Sequence, residues 1–365
     1  MSRGYELTTG DFEGFFAAPF HAYGAQSKYV PMMKADMRRW LDNTDNPLFA
    51  AHGEREFFVL RRNGEPIGRI VAHVHHDSNR LHHLQRGCFG FFDCADDAEA
   101  ARRLLTAAEQ WCAARKLREI AGNFNLTAMQ QIGVVTEGFE HQPYMDQVYS
   151  PPHIAAHLRA NGYEPFFPMQ TFEIDIAEAV ARAPCESAPD WHIERITRSH
   201  LDASMEAARR VLNDGFAANP MFVALSREEF AFQAKDMMWI LDPRISSLAW
   251  RGDDPAGVVV CIPDLNPLIK ATGAQWRWST PWHYLRFRSR RRRAVIIYYA
   301  VSKAMQGRGL MKTLLSTTLR NLQSAGYETV GVTWIADVNG ASLRQMQRLG
   351  ARSLHRTHLF GKSLA

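Results

Sequence analysis

Hydrophobic and polar positions alternate in short blocks through the first half of the chain. Glu56–Arg62 and Ile67–Val74 read as strands, and Asn63-Gly64-Glu65-Pro66 between them as a tight turn. Cys88–Phe92 reads as a third strand. Asp96 and Asp97 then open a helix whose apolar positions Ala101, Leu104, Leu105, Ala108 and Trp111 share one face. A strand near Glu119–Ala121, a helix over 154–160 and a strand over Thr171–Ile176 follow. From Ala177 to Asp190 the residues are mostly Ala, Pro and Ser, the composition of a linker.

The second half repeats that order. His192–Ile196 reads as a strand, Ser199–Leu212 and Arg227–Ile240 as helices, and Ile245–Trp250 with Gly257–Ile262 as a hairpin. A basic, aromatic insertion separates these from the apolar strand Ala294–Val301. A Gly-rich turn, a helix through Leu314, Leu315, Leu319 and Leu322, the strand Thr329–Ile335, the helix Ala341–Leu349 and a strand over Leu354–Phe360 complete the chain. The pattern is α+β in both halves. It divides the chain into domains over 1–176 and 191–365, with 177–190 as linker and the insertion at 263–293. The matching order implies an ancient duplication, although no residue-level repeat is visible.

A length of 365 residues suits two such cores better than one. No stretch approaches the roughly 20 apolar residues of a membrane-spanning helix. Residues 1–6 lead to Asp11 and Glu13 rather than to an apolar signal core, so a cytoplasmic location is expected. Five cysteines (88, 94, 112, 185 and 261) without a C-x-x-C pair fit reduced thiols better than a disulfide or zinc framework. Charge changes the picture more. The net charge is +5, yet no acidic residue lies between Asp264 and Glu328, a span holding twelve Lys and Arg. A field so concentrated implies an anionic partner: a phosphorylated cofactor, a membrane surface or nucleic acid.

Candidate chemistry centres on Gln306-Gly307-Arg308-Gly309-Leu310, set between an apolar strand and a helix. Glycines let the backbone approach an anion closely, and the free N–H groups of a helix start can cradle a pyrophosphate. In this context the turn resembles the Q-x-x-G-x-G/A signature of GNAT acetyltransferases, with Met311 at its last, usually small, position. Asn339-Gly340-Ala341-Ser342, with Met346, Leu349 and Gly350 beyond, resembles that family's helix beside the pantetheine arm. Tyr29-Val30-Pro31, Asn46-Pro47-Leu48-Phe49, Gly90-Phe91-Phe92-Asp93, Glu137-Gly138-Phe139, Pro263-Asp264-Leu265-Asn266 and Trp334–Asn339 extend the likeness over nearly the whole chain. They resemble bacterial double-GNAT proteins, a family that includes the bacterial ceramide synthases.

The resemblance implies two tandem GNAT-like domains, each a mixed, mostly antiparallel sheet flanked by helices. It implies acyl-CoA as co-substrate, no metal, and a long-chain sphingoid-type amine or other lipid as acceptor. Ala300, Val301, Gln306, Gly307, Arg308, Gly309, Leu310, Met311, Asn339 and Ser342 would hold the donor. The family commonly acts by direct attack of an amine on the thioester. That chemistry needs a proton acceptor, a fixed donor for the oxyanion and a proton for the departing thiolate. Asp264 and then Asp337 are the candidate bases, Tyr299 is the candidate acid, and the backbone near Tyr299-Ala300-Val301 is the candidate oxyanion site. Each of these residues also has an ordinary structural reading. The first half has Asp96-Asp97 where the second has its glycines, so it is expected to be non-catalytic. Its polar set Asn123, Asn125, Thr127 and Glu137 either faces a cleft or caps loops.

Two segments remain open. Trp276–Arg288 interleaves Trp, Tyr and Arg, a composition suited to a peripheral site at the inner membrane face. The rivals are single-stranded nucleic acid, which is disfavoured, and a basic surface loop. His73, His75, His76, His82 and His83 lack a completing Cys or second carboxylate, so a solvated hairpin end around Asp77-Ser78-Asn79 is the better reading than a metal site. Two other functions compete with long-chain acyl transfer: small-molecule or peptide N-acetylation, and silent binding of acyl-CoA or lipid.

Overall fold

A computed structural model of the chain describes residues 4–42, 44–183 and 191–364, with all their side chains except those of 198 and 235–239. The backbone falls into two compact units. Unit 1 comprises Met1–Pro143, Gln147–Met169 and His355–Ala365, and unit 2 comprises Tyr144–Asp146 and Gln170–Leu354. Neither is one continuous stretch of chain.

Unit 1 begins with β1 (Tyr5–Thr9), α1 (Phe12–Tyr23) and α2 (Lys34–Trp40), followed by β2 (Gly53–Arg62) and β3 (Glu65–His75). Asn63 (φ 53°) and Gly64 (φ 86°) make the turn between β2 and β3, the left-handed pair that matches the twist of a two-residue hairpin. Then come α3 (His76–His82), β4 (Arg86–Cys94), α4 (Ala98–Ala113), β5 (Glu119–Gly122), β6 (Val134–Glu137), α5 (Pro152–Ala160) and β7 (Glu164–Asp175), whose residues from 170 on belong to unit 2. The expected hairpin end at Asp77-Ser78-Asn79 is instead helix α3, whose Asn79 side chain ties down the backbone of Arg86 at both N–H and C=O. β1–β2, β2–β3 and β3–β4 pair antiparallel, and β4–β5 pair parallel across α4. Leu104, Leu105, Ala108 and Cys112 of α4 bury against Ile70, Phe89, Ile120 and Phe360. Asn123 and Asn125 accept from the backbone N–H groups of Phe92 and Phe91, and Thr127 bonds to Gln130, so these side chains secure loops.

Unit 2 repeats the scheme. α6 (Ile176–Arg182) is capped by Asp175, so the expected linker 177–190 opens as helix, and its residues 184–190, with Cys185, lie outside those described. β8 (His192–Arg195), α7 (Leu201–Gly215), α8 (Arg227–Ile240), β9 (Ser247–Arg251) and β10 (Asp254–Pro263) follow. The insertion is helical rather than a loop, forming α9 (Asn266–Thr272) and α10 (Thr280–Arg290). β11 (Arg293–Val301), α11 (Leu310–Ser324), β12 (Thr329–Ala336), α12 (Gly340–Leu349) and β13 (Arg352–Ser363) complete the chain. β8–β9, β9–β10 and β10–β11 pair antiparallel, and β11–β12 pair parallel across α11. Leu310, Leu314, Leu315, Leu319 and Leu322 seal α11 onto Val259, Cys261, Ile296 and Val332. The residues of β13 from His355 on belong to unit 1, antiparallel to β5 and β6.

Candidate active site

The parallel ladder of β11 and β12 runs from Arg293↔Thr329 to Ile296↔Val332 and then stops. Just beyond it Thr333 Oγ1 donates to the Ile297 carbonyl at 3.2 Å. At the same height β10 and β11 slip register between Val260 and Cys261. A bulge sharpens local twist and turns side chains off the regular face. The parallel ladder with β12 therefore does not extend to Tyr298, Tyr299, Ala300 and Val301. Ala300 is buried and the other three are half-buried.

The strand leads directly into the glycine turn. Ser302 N–H bonds to Ala256 O at 2.9 Å, and a short 3-10 turn over Lys303–Met305 delivers Gln306. Gly307 (φ 74°) and Gly309 (φ 86°) take left-handed conformations that cost an L side chain about 1–2 kcal/mol. Gly309 is the N-cap of α11, and no side chain caps that helix. The N–H groups of Gly309, Leu310 and Met311 therefore take no partner among the described residues. A Cβ added at Gly307 or Gly309 would meet nothing within 4 Å, so the turn faces open space. A pyrophosphate fits there: free donors, a positive helix end, and the exposed cations Lys303, Arg308 and Lys312 nearby in sequence. Gln306 is exposed, Leu310 is buried, and Met311 packs against the core of unit 2 rather than filling the turn.

The topologically equivalent position in unit 1 is Asp97, ahead of α4. Its carboxylate accepts from the N–H groups of Glu99 and Ala100 and also binds Tyr5 Oη and Arg62 Nη1, each at 2.7 Å. The donors an anion would need are already consumed by an aspartate.

The remaining candidates separate by environment. Asn339 Oδ1 caps α12 through Ser342 N–H at 3.1 Å, and Val338 before it is exposed. The Tyr299 hydroxyl is buried beside Ser342 without a hydrogen bond of normal geometry, and burial pushes its pKa up, keeping the phenol protonated. Asp337, at the end of β12, is half-buried and accepts from Gln170 Nε2 at 3.0 Å. Asp264 is 3% exposed and accepts three hydrogen bonds: Oδ2 takes Arg293 Nε at 3.0 Å, and Oδ1 takes the N–H groups of Met145 and Asn266 at 3.0 and 3.3 Å.

The Met145 contact reveals a residue that sequence reasoning missed. Tyr144 lies against Gly331, where a Cβ would come within 2.5 Å of its ring. Its hydroxyl bonds Glu173 at 2.6 Å and Thr329 at 3.0 Å, and the Arg293 guanidinium stacks 3.8 Å above it. These contacts fix Tyr144-Met145-Asp146 in unit 2 and deliver Asp146 in a left-handed conformation (φ 68°) close enough to Tyr298 to raise that phenol's pKa. Asp146 is half-buried, has no hydrogen-bonding or ionic partner among the described residues, and is pushed by desolvation up to about 7. Nothing in Pro143-Tyr144-Met145-Asp146 signals this, because the shift comes from burial in the folded chain.

Among the described residues no group of three or more His, Cys, Asp or Glu is arranged to hold a metal. His73 is buried against Phe124 O and lowered by burial to about 4. The described cysteines 88, 94, 112 and 261 are free thiols. Among the described residues no helix is long and apolar enough to cross a membrane.

Comparison with known proteins agrees with this geometry. Residues 216–351 match the model of the acetyltransferase (GNAT) family. The bacterial ceramide synthase of Caulobacter vibrioides is 24% identical, over 98% of this chain and 96% of that protein. Protein YghO of Escherichia coli is 22% identical, over 98% and 94%. Among solved structures, a tandem GNAT protein from the clavulanic acid biosynthesis pathway superposes with a TM-score of 0.61 at 12% identity, covering 99% of both chains. A GCN5-related N-acetyltransferase from Sphaerobacter thermophilus gives 0.53 at 12% identity, over 99% and 96%. Residues 216–351 thus match the acetyltransferase (GNAT) family, the chain as a whole has a tandem GNAT fold, and these findings support an N-acyltransferase.

Proposed function

We propose that the protein transfers a long-chain acyl group from its coenzyme A thioester to the amino group of a sphingoid-type long-chain amine, in unit 2. The observation that carries the reading is the uncapped start of α11, open to an anion beyond the parallel ladder of β11 and β12. The likeness to the bacterial ceramide synthase over nearly the full length of both chains supports the acceptor class. Unit 1, with Asp97 across the start of α4, is the non-catalytic partner.

In this reading the N–H groups of Gly309, Leu310 and Met311 hold the pyrophosphate, and the end of β11 over 298–301, beyond the parallel ladder, lies along the thioester. A backbone N–H of that stretch stabilises the oxyanion as the amine nitrogen attacks the carbonyl carbon. Asp146, rather than the ion-paired Asp264, takes the proton released by the amine, since a base poised near neutrality is the efficient one. Tyr299, protonated and beside Ser342, supplies a proton to the departing sulfur as the C–S bond breaks.

The test offers sphinganine and its 3-keto form with palmitoyl-CoA and with acetyl-CoA. Each methylene buried on binding contributes about 0.8 kcal/mol, so a long-chain site discriminates strongly against acetyl donors. Faster turnover with acetyl-CoA, or acylation of an unrelated amine and of neither base, replaces this reading with small-molecule N-acetylation.

A further inference from the structure

The insertion carries a surface that acyl transfer does not use. Of the eight large hydrophobic side chains left exposed among the described residues, four lie within ten residues of one another: Trp276 at 76%, Trp278 at 96%, Trp282 at 59% and Leu285 at 63%. Scattered single apolar residues on a surface are ordinary, but a cluster built mainly of tryptophan needs a partner. In α10, Trp282, Leu285, Arg286, Ser289 and Arg290 fall on one stripe by helical periodicity, and His283, Tyr284 and Phe287 occupy the half-buried opposite face. The helix is therefore seated by one side and presents the other.

Its arginines divide into two sets. Arg291 pairs with Asp242 at 2.9 Å, Arg292 with Glu328 at 3.4 Å and Arg293 with Asp264 at 3.0 Å, so these three serve the fold. Arg277, Arg286, Arg288 and Arg290 are exposed and meet no carboxylate among the described residues, while the Arg286 guanidinium rests 5.7 Å over the Trp282 ring. No acidic residue occurs between Asp264 and Glu328 to neutralise them from within the segment. Unpaired cations thus flank an apolar stripe on a helix of eleven residues, roughly 16 Å long.

We infer that α10, with the preceding turn at Trp276 and Trp278, is an interfacial anchor that lays unit 2 on an anionic lipid bilayer. Tryptophan rings favour the headgroup boundary, Leu285 reaches the acyl layer, and the free arginines meet lipid phosphates. Leu285 decides between the two anionic partners that arginine and tryptophan serve. An aliphatic side chain on the contact stripe lacks the π-face that stacks well on a nucleobase, whereas acyl chains solvate it fully. The inference is independent of the acceptor, because an anchor works whichever amine is acylated.

The experiment measures co-sedimentation of the full chain with vesicles of phosphatidylcholine alone and of phosphatidylcholine with phosphatidylglycerol, at low and high salt. It also measures quenching of wild-type tryptophan fluorescence by lipids brominated on the acyl chain, which needs no variant. Binding to the phosphatidylglycerol vesicles, weakened by salt and accompanied by quenching, is expected. Replacing Trp276, Trp278 and Trp282 together by Ser lowers partitioning roughly tenfold or more. The combined Arg286→Gln, Arg288→Gln and Arg290→Gln variant lowers it about a hundredfold on anionic vesicles, with circular dichroism unchanged. No sedimentation at any ionic strength, no quenching, or undiminished binding by the tryptophan variant overturns the anchor. So does tighter binding to a single-stranded oligonucleotide that strips the protein from vesicles.

Discussion

Asp264 Oδ2 accepts the Arg293 Nε hydrogen at 3.0 Å, and the same guanidinium stacks 3.8 Å above the Tyr144 ring. One ion pair thereby braces the end of β10, the start of β11 and the segment that carries Asp146. Removing a single partner from a buried pair costs about 3–5 kcal/mol. Arg293 is partly exposed, which places Asp264→Ala near the lower end. Urea denaturation reads that loss. The pH profile of kcat/KM for the folded fraction keeps its wild-type midpoint, because Asp264 shapes the site without exchanging the proton. A profile that loses its ascending limb in this variant returns the base to Asp264.

Asp146 gives the pH dependence its sign. Its folded pKa of about 7 lies above the ordinary 3.8, so the protonated form is favoured in the folded state. The associated stability is fully present below about 4 and is lost as pH rises to about 7. Activity runs the other way, since the base must be ionised. We expect kcat/KM to rise through an apparent pKa near 7. Asp146→Asn flattens that limb and lowers the rate roughly a hundredfold or more, yet is more stable than wild type at pH 8 and not at pH 4. An unchanged ascending limb in Asp146→Asn assigns the proton elsewhere.

Gly309→Val places a β-branched residue at a φ of 86° and in the open space before α11. Titration calorimetry with coenzyme A should show donor binding lost, with stability reduced by about 1–2 kcal/mol. Gly309→Asn separates strain from occlusion, because Asn tolerates the left-handed region while still filling the space. It should fold like wild type and bind the donor poorly. Wild-type affinity in both variants removes the pyrophosphate from this turn.

Tyr299→Phe deletes a buried hydroxyl that has no normal hydrogen bond. Stability should hold or rise slightly, since an unpaired buried polar group is a cost. A fall in kcat of roughly tenfold or more with KM unchanged marks the phenol as the proton donor to sulfur. Equal losses in binding and turnover would make it a wall of the site instead.

What could be read along the chain was local. The apolar run of β11, the Gln306-Gly307-Arg308-Gly309 turn and the leucine spacing of α11 lie within about thirty residues, and backbone conformation plus one-sided burial specify them together. The α+β order of both halves is local in the same way. Helix α10 was less legible because its arginines and aromatics interrupt apolar periodicity, and its buried side is defined by what it packs on. The proposed base, Asp146, could not be read at all. Met145 meets Asp264 across 119 residues, and Tyr144 meets Thr329 across 185. Those long-range contacts hold the segment that carries Asp146 and bring a backbone donor to Asp264. A sequence specifies which groups exist and which local shapes they favour. A carboxylate's affinity for a proton is set by the surroundings that folding brings to it, and here the contacts that hold its segment come from far along the chain.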